Sequence, residues 1–265
     1  MESIDSKHEV RWVLDEMRLK NFGDEYLAEV FSRRKEGEPL AYIFGHWQFR
    51  DLELEVSPGV LIPRPETEEL VDLVLDRVRA RENTFRNWHI VDAGAGSGCL
   101  GISLHLEVQK KLRLRSELTS IEVSEDAAFV LSKNLSKFAP DAKLFRGSWM
   151  EWASSSKIQI LVSNPPYISG IETDKADTGV EVWEPHLALY PNDLSKFPDA
   201  SGPYRELIKL ANHVVDVGGI AAFELGPAQA EWIDAYVKEN YPLWSGELLK
   251  DMSAKWRFFI MQRLA

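Results

Sequence analysis

Residues 88–98, WHIVDAGAGSG, join a short apolar strand to a turn that contains three glycines. A helical stretch follows at about 98–109, so the turn lies between a strand and a helix. Glycines at such a junction let the backbone approach a ligand closely and place that ligand at a helix N-terminus. At the open end of a parallel sheet, this is the expected ligand crevice. The segment therefore predicts an α/β fold with a binding site at the glycine turn.

The rest of the chain repeats the order of strand and helix. Short apolar strands that alternate with helices indicate a parallel sheet with helices on both faces. The last two predicted strands are joined by a short loop, which makes them antiparallel because a parallel return needs a crossover. Strands are predicted at 88–93, 117–122, 142–146, 158–163, 219–225, 244–250 and 256–262, and helices at 125–138, 203–216 and 227–240.

The residues that precede this repeat show other patterns. Apolar spacing predicts two short helices within 8–36, which are too little for an independent core. Apolar residues alternate with polar ones from Leu52 to Ser57 and predict a half-buried strand, in a hairpin within 40–62. A helix with an apolar stripe begins at about Pro65. The segment 169–201 has no clear period, and a loop of this length is usually functional or disordered.

Composition narrows the classes of partner. The 265 residues carry a formal net charge of −11, which disfavours duplex nucleic acid as a partner because phosphate contacts need a basic face. The single cysteine, Cys99, excludes an internal disulfide and a cysteine-cluster zinc site. The chain also has no apolar run near the ~18 residues of a membrane helix. We expect a cytoplasmic protein that acts on a basic protein or a small substrate.

Two cofactor classes fit the glycine turn. The residues from Gly96 to Gly101 satisfy the dinucleotide pattern G-x-G-x-x-G, and Glu122 ends the second strand, about where a ribose-binding acid is expected. Nicotinamide dinucleotides and S-adenosylmethionine both match this arrangement. Asp92, directly before the glycines, favours S-adenosylmethionine, because an acid suits the cationic end of a methionine moiety and would sit poorly against a pyrophosphate.

A second motif, Ser163-Asn164-Pro165-Pro166-Tyr167, ends the fourth predicted strand. Its prolines fix the backbone, so the Asn164 side-chain oxygen and the Pro165 carbonyl can accept hydrogen bonds from one planar NH₂ group. An amide nitrogen is a poor nucleophile because its lone pair is delocalised. Two acceptors would orient it for attack on a sulfonium methyl and stabilise the developing positive charge. The plain alternative is a strand-ending turn with a core tyrosine.

Together, DAGAGSG, Glu122 and SNPPY resemble the Rossmann-like, class I methyltransferases that use S-adenosylmethionine. The segment from Gly37 to Asp72, which contains IPRPETE, is similar to the signature of the peptide chain release factor N5-glutamine methyltransferases (HemK/PrmC type). The resemblance implies a seven-stranded, mostly parallel sheet whose last strand is antiparallel. It also implies a short helical N-terminal domain at 1–38, a β-hairpin linker at 39–64 and a catalytic domain at 65–265.

The same resemblance implies a reaction and its site. A methyl group would pass from S-adenosylmethionine to the side-chain amide nitrogen of the glutamine in the Gly-Gly-Gln motif of a release factor. By motif position, the cofactor would be held by Asp92, Gly94, Ala95, Gly96, Ser97, Gly98, Glu122, Trp149 and Asn164. The glutamine amide would be bound by Asn164, Pro165, Pro166 and Tyr167, with Arg64 and Glu66 shaping the substrate mouth or forming a local ion pair.

This chain departs from the family pattern at two places, and other functions also fit parts of its sequence. The family usually has Asp before the tryptophan, whereas this chain has Ser148 before Trp149, and its N-terminal helical part is short. We expect a monomer. The alternatives are a ribosomal-protein glutamine methyltransferase, a methyltransferase for nucleic-acid amino groups (adenine N6 or guanine N2), and a non-catalytic or nicotinamide-binding protein. The last would leave the Asn-Pro-Pro-Tyr motif unexplained.

Overall fold

The computed structural model describes residues 7–20, 23–152, 157–169 and 178–265. Its strands are β1 (His46–Phe49), β2 (Leu52–Glu55), β3 (Trp88–Ala93), β4 (Ser116–Glu122), β5 (Lys143–Arg146), β6 (Ile158–Ser163), β7 (Val215–Glu224), β8 (Trp244–Lys250) and β9 (Trp256–Arg263). Its helices are α1 (Lys7–Lys20), α2 (Asp24–Lys35), α3 (Leu40–Phe44), α4 (Pro65–Arg79), α5 (Cys99–Lys110), α6 (Glu125–Phe138), α7 (Thr178–Trp183), α8 (His186–Leu189), α9 (Gly202–Val214) and α10 (Pro227–Asn240).

Seven strands form one sheet in the order β5-β4-β3-β6-β7-β9-β8. The pairs among β3 to β7 are all parallel, whereas β9 is antiparallel to both of its neighbours. The predicted mostly parallel sheet with an antiparallel last strand is therefore confirmed. The chain runs outward from β3 to β5 and then returns to β6, so the strand order reverses between β3 and β6. Ligands of open α/β sheets bind at the carboxyl end of such a reversal.

The register brings three polar residues to that end of the sheet. Asp92 of β3 pairs with Val162 of β6, and Ser163 of β6 pairs with Phe223 of β7. Asn164 directly follows β6, and Glu224 is the last residue of the neighbouring strand β7. Because parallel strands point the same way, Asp92, Asn164 and Glu224 reach one edge of the sheet together.

Apolar side chains fill both faces of the sheet. Helices α4, α5 and α6 cover one face through residues such as Leu70, Ile102 and Leu131. Helices α9 and α10 cover the other face through residues such as Leu207 and Ile233. Strands buried on both faces have to be apolar along most of their length, which is why their sequences read as continuous apolar runs. Within the described residues, no helix is long and apolar enough to cross a membrane.

The hairpin β1–β2 is antiparallel, and its apolar residues Phe49, Leu52 and Leu54 join the main core. Asn134 of α6 fastens it, since the Asn134 side chain bonds both the backbone N–H and the C=O of Glu55, at 2.8 and 2.9 Å. The N-terminal helices pack with α3 around a small separate apolar cluster. The domain boundaries at residues 38 and 64 stay predictions.

Three local predictions differ from the structure. Residues 40–44, within the predicted hairpin region, form the short helix α3 before β1 begins. The segment 169–201, predicted to lack regular structure, contains the short helices α7 and α8, although residues 170–177 lie outside the described part. The sequence predicts a helix to residue 216 and a strand from residue 219, whereas α9 ends at Val214 and β7 begins at Val215. The first residue of β7 pairs with Ile158, and the register then shifts between Ile158 and Ile160.

Candidate active site

The carboxyl edge of the sheet opens into a cavity of about 400 Å³. This volume lies in the range of small-molecule sites. The cavity is lined by most of the residues that the sequence assigns to the cofactor: Asp92, Gly94, Ala95, Gly96, Ser97, Glu122, Trp149 and Asn164. Ser148 also lines it, as do Pro165, Pro166 and Arg64 from the predicted substrate side.

The glycine turn has the geometry that its sequence predicts. Gly94, Gly96 and Gly98 all have positive φ angles, of 71°, 55° and 85°. Such angles cost little for glycine and are strained for other residues. A β-carbon at Gly98 would come within 2.7 Å of the Leu131 side chain, so Gly98 serves the packing of α5 against α6 and lies behind the cavity wall.

The backbone donors of the turn are largely used inside the protein. The N–H groups of Gly94 and Ala95 donate to the carbonyl of Ile121, and that of Gly98 donates to the carbonyl of Ala95. The N–H of Gly96 donates to the Glu122 carboxylate at 2.8 Å. The turn thus offers a ligand close backbone approach more than free hydrogen-bond donors.

Glu122 joins two turns at the rim of the cavity. Besides the bond from Gly96, its carboxylate accepts the backbone N–H of Ser124 at 2.9 Å. Only 7% of its surface is exposed. Each carboxylate oxygen can accept more than one hydrogen bond, so the group keeps capacity for two ligand hydroxyls.

Asp92 is buried beneath the glycine turn, with 1% of its surface exposed. Its Oδ2 accepts the backbone N–H of Gly101 at 2.8 Å, and a β-carbon at position 101 would lie 2.7 Å from the Asp92 side chain, so a glycine is needed there. Burial raises the pKa of Asp92 to about 7, against the opposing effect of the Gly101 hydrogen bond and with a further increase from Glu122. No ion pair to Asp92 forms within the described residues, so a cationic ligand would complete this site.

Trp149 closes one side of the cavity, and its ring edge would lie 3.1 Å from a β-carbon at Gly94. Its indole N–H donates to the carboxylate of Glu206 on α9 at 2.9 Å, and Glu206 lines the cavity as well. The sequence interpretation missed Glu206, since nothing in its spacing connects it to Trp149. The structure thus brings an acid to the Trp149 end of the cavity in a chain that has Ser148 before the tryptophan.

Asn164 lies where the main cavity meets a smaller one of about 160 Å³. Its side-chain NH₂ donates to the hydroxyl of Thr67 at 3.3 Å. The next residues divide between the two cavities: Pro165 and Pro166 line the larger one, and Tyr167 lines the smaller one. Burial raises the pKa of Tyr167 to about 12, so the phenol stays neutral.

Arg64 lines both cavities and forms an ion pair with Glu184, at 2.6 Å between Nη2 and Oε1. Glu184 is buried and also accepts the backbone N–H of Ile62 at 3.2 Å. The sequence left open a substrate mouth or a local ion pair for Arg64, and the structure shows the ion pair at the cavity wall. Glu66 is half-buried, and within the described part of the chain it lines neither cavity.

Comparison with known proteins gives consistent matches. The family model named methyltransferase small domain matches residues 71–181. A release factor glutamine methyltransferase of Lactococcus lactis is 34% identical over 216 residues, which are 81% of this chain and 74% of the relative. A protein of the same name from Bacteroides thetaiotaomicron is 31% identical, over 81% of this chain and 72% of its own length.

Solved structures agree on the fold. A putative class I S-adenosylmethionine-dependent methyltransferase of Listeria monocytogenes matches with a TM-score of 0.53 at 12% identity. The match covers 99% of this chain and 76% of that one. At this identity the likeness concerns the fold alone.

Proposed function

The chain belongs to the release factor glutamine methyltransferase family, and on that premise we propose that it methylates the glutamine of the Gly-Gly-Gln motif of a release factor. The methyl donor is S-adenosylmethionine, and the acceptor is the side-chain amide nitrogen, N5. The observation that carries the proposal is the place of Asn164. Its side chain stands at the junction of the two cavities and turns its NH₂ group to Thr67.

The larger cavity fits the cofactor. S-adenosylmethionine supplies, when bound, a methyl group on a positively charged sulfur. Asp92, which lacks a cationic partner in the described part of the chain, would face the methionine ammonium. Glu122 would accept hydrogen bonds from the ribose hydroxyls, and the Trp149 ring would pack against the adenine. The glycine turn would leave room for all three contacts at once, because its glycines carry no side chains and let the ligand lie close to the backbone.

The acceptor pair performs the chemistry. The Asn164 Oδ1 atom and the Pro165 carbonyl would each accept one hydrogen of the glutamine NH₂ group, which orients the nitrogen toward the methyl group. As the N–C bond would form, the bond between the methyl group and the sulfonium sulfur would break and leave its electron pair on the now neutral sulfur. The two acceptors would stabilise the positive charge that grows on the nitrogen. The nitrogen then releases one proton to solvent, so no strong base is required. Pro166 and Tyr167 would pack against the planar amide.

The proposal extends to the setting of the reaction. We place the enzyme in the cytoplasm, as a monomer that binds a protein rather than duplex nucleic acid. The net charge of −11 supports this choice of partner, because a basic protein surface is attracted to it and a phosphate backbone is repelled.

The test is incubation of the purified protein with methyl-labelled S-adenosylmethionine and purified release factor, followed by mapping of the modified residue. We expect label on the glutamine of the Gly-Gly-Gln motif. Label on a ribosomal protein or on a nucleic acid, each supplied in parallel, would overturn the proposal in favour of that substrate. Calorimetry is expected to show binding of S-adenosylmethionine and none of NADH.

The Asn164→Ala variant tests the acceptor pair. We expect it to lose nearly all transfer while S-adenosylmethionine still binds measurably, because the side chain acts mainly on the amide. The control is Asn240→Ala at the exposed end of α10, which should transfer at the normal rate. An unimpaired rate in Asn164→Ala would refute the acceptor-pair mechanism.

A further inference from the structure

A chain of hydrogen bonds connects Asn164 to a buried carboxylate. Asn164 donates its side-chain N–H to Thr67 Oγ1 at 3.3 Å, and Thr67 donates its hydroxyl to Glu224 Oε2 at 2.7 Å. Thr67 and Glu224 each have 1% of their surface exposed. Three separate parts of the fold supply the three residues, since Thr67 lies in the first turn of α4, Asn164 directly follows β6 and Glu224 ends β7.

The direction of each hydrogen bond follows from the group at its end. An ionised carboxylate has only acceptor sites, so Glu224 requires the Thr67 hydroxyl as a donor. A hydroxyl has one hydrogen, so Thr67 can then only accept from Asn164. An asparagine side chain accepts through its oxygen and donates through its nitrogen. The Asn164 nitrogen must therefore face Thr67, which leaves its oxygen for the cavity side.

We propose that Thr67 and Glu224 are positioning residues for methyl transfer, which hold the Asn164 side chain with its oxygen toward the substrate nitrogen. The inference rests on the proposed function, since it concerns the same acceptor pair. Without the chain of hydrogen bonds, the Asn164 amide could rotate by half a turn and present its NH₂ group. Two NH₂ groups would then face each other, and the substrate nitrogen would lose one of its two acceptors.

The surroundings of Glu224 support this role. A buried carboxylate is costly unless it is paired and hydrogen-bonded. A glutamate at the buried end of β7 therefore favours a functional role over a purely structural one. The backbone of Glu224 is held by the Tyr204 hydroxyl, which donates to the Glu224 carbonyl at 2.9 Å. The charged and titratable groups that face its carboxylate are Arg64, Glu66, Cys99, Tyr167, Tyr204 and Arg257.

The direction of the hydrogen bonds depends on the charge of Glu224. Burial raises the pKa of Glu224 to about 7, against the opposing effects of the Thr67 hydrogen bond and Arg257. A protonated carboxyl group can donate to Thr67, which frees the Thr67 hydroxyl to donate to Asn164 and permits the wrong orientation. The turnover rate with both substrates saturating should therefore rise as the pH increases through about 7.

The experiment compares substitutions at Thr67 in the full-length enzyme. Thr67→Val removes the hydroxyl and keeps the shape, and we expect kcat to fall about tenfold to a hundredfold while the Kd for S-adenosylmethionine stays within about twofold. Thr67→Ser keeps the hydroxyl and should restore most of the rate. The matched control is Thr119→Val in β4. It removes a buried hydroxyl that forms a hydrogen bond of 2.9 Å with the side chain of His89 in β3.

A second measurement needs no substrate and applies even where a variant is less stable. The side-chain NH₂ signal of Asn164 is assigned in asparagine-¹⁵N-labelled protein by its loss in Asn164→Ala. In wild-type enzyme this signal should change with pH through about 7. In the Glu224→Gln variant, both that change and the step in kcat should disappear, because the glutamine amide does not titrate and can accept or donate.

The outcomes separate this proposal from the proposed function. If the wild-type enzyme labels no release factor, the proposed function fails. If it does label the glutamine and Thr67→Val turns over at the wild-type rate, the positioning role alone is overturned. An unchanged pH step in Glu224→Gln, or a loss of activity in Thr119→Val equal to that in Thr67→Val, would also count against it.

Discussion

Asp92 occupies a place where a carboxylate is unfavourable unless a cation joins it. Its pKa is raised to about 7 by burial, whereas an aspartate in an unfolded chain titrates near 3.8. Between about pH 4 and pH 7, Asp92 therefore carries its proton more often in the folded protein than in the unfolded chain. The stability that this proton contributes is fully present below about pH 4 and is lost as the pH rises through about 7.

We predict that the Asp92→Asn substitution weakens the dependence of stability on pH. The free energy of unfolding, measured by denaturant titration at pH 5 and pH 8, should fall less with pH in this variant than in the wild type, because the ionisable group is gone. The same variant should bind S-adenosylmethionine more weakly, since the charge opposite the ammonium is lost.

The control for this prediction is Asp141→Asn, which makes the same chemical change at an exposed position. It should keep the wild-type dependence on pH. Glu224 also has a raised pKa, so part of the dependence will remain in Asp92→Asn. Equal pH dependence in wild type and Asp92→Asn would contradict the raised pKa of Asp92.

Single residues also show what the sequence can and cannot reveal about the site. The sequence predicts Asp92, Glu122 and Asn164 as site residues because each lies at or next to the end of a strand, beside a recognisable motif. Thr67 lies within IPRPETE and Glu224 lies near the end of the predicted strand 219–225, but no pattern in the sequence assigns either of them a role or connects the two. Their contact depends on the register of β6 and β7 and on the position of α4, and none of these is written in local spacing.

At the scale of elements, the short helix α8 lines part of the larger cavity, and α7 contributes Val180 to the wall of the smaller one. Leu187 and Ala188 of α8 line the larger cavity, and the backbone N–H of Ile168 donates to the carbonyl of Leu189 at 3.1 Å. Glu184, between the two helices, reaches across to Arg64 and to the N–H of Ile62. The buried Glu184 carboxylate thus fastens this segment to the chain before α4.

We predict that Glu184→Gln loosens this segment. The glutamine can still accept the N–H of Ile62, but it loses the charge that pairs with Arg64, and a buried ion pair is costly to break on one side. The Kd for S-adenosylmethionine should rise about fivefold or more. Amide hydrogen exchange at Ile62 and Leu189 should become faster.

An exposed ion pair provides the control for Glu184→Gln. Asp234 and Lys238 are paired on the surface of α10 at 2.6 Å, and such pairs contribute little. Asp234→Asn should leave both the Kd and the exchange rates at Ile62 and Leu189 unchanged. Wild-type cofactor affinity in Glu184→Gln would show that the Arg64 ion pair does not hold the cavity wall.

The same elements explain which parts of the fold could be predicted. The long helices and the buried strands show their periods over a window of 11–18 residues, and they appear close to where the sequence places them. Helix α3 has five residues and α8 has four, so neither completes enough turns to show a helical period. Their position follows instead from contacts with the hairpin and the cavity wall.

At the scale of the whole molecule, the acidic side chains behind the net charge of −11 differ in how freely they can interact with a partner. Several acids of α4 already have partners within the protein: Glu68 and Asp72 both bond Arg50, and Glu69 accepts the backbone N–H of Met252. Glu66 makes no hydrogen bond or ion pair within the described residues, and its charge acts on the site residues Tyr167 and Glu224. Among these acids of α4, Glu66 is therefore the one whose charge we expect to act on an approaching partner.

This arrangement predicts how salt affects catalysis. If the acidic surface steers a basic release factor, kcat/KM should fall by about threefold or more between about 0.05 and 0.5 M salt, while kcat stays nearly constant, because screening slows the encounter and leaves the bound complex unchanged. Glu66→Gln should flatten the dependence of kcat/KM on salt. Glu239→Gln, at the exposed far end of α10, makes the same change in net charge and should not. Equal effects of the two substitutions would assign steering to the total charge, and a kcat/KM that does not vary with salt would leave the acidity a matter of solubility.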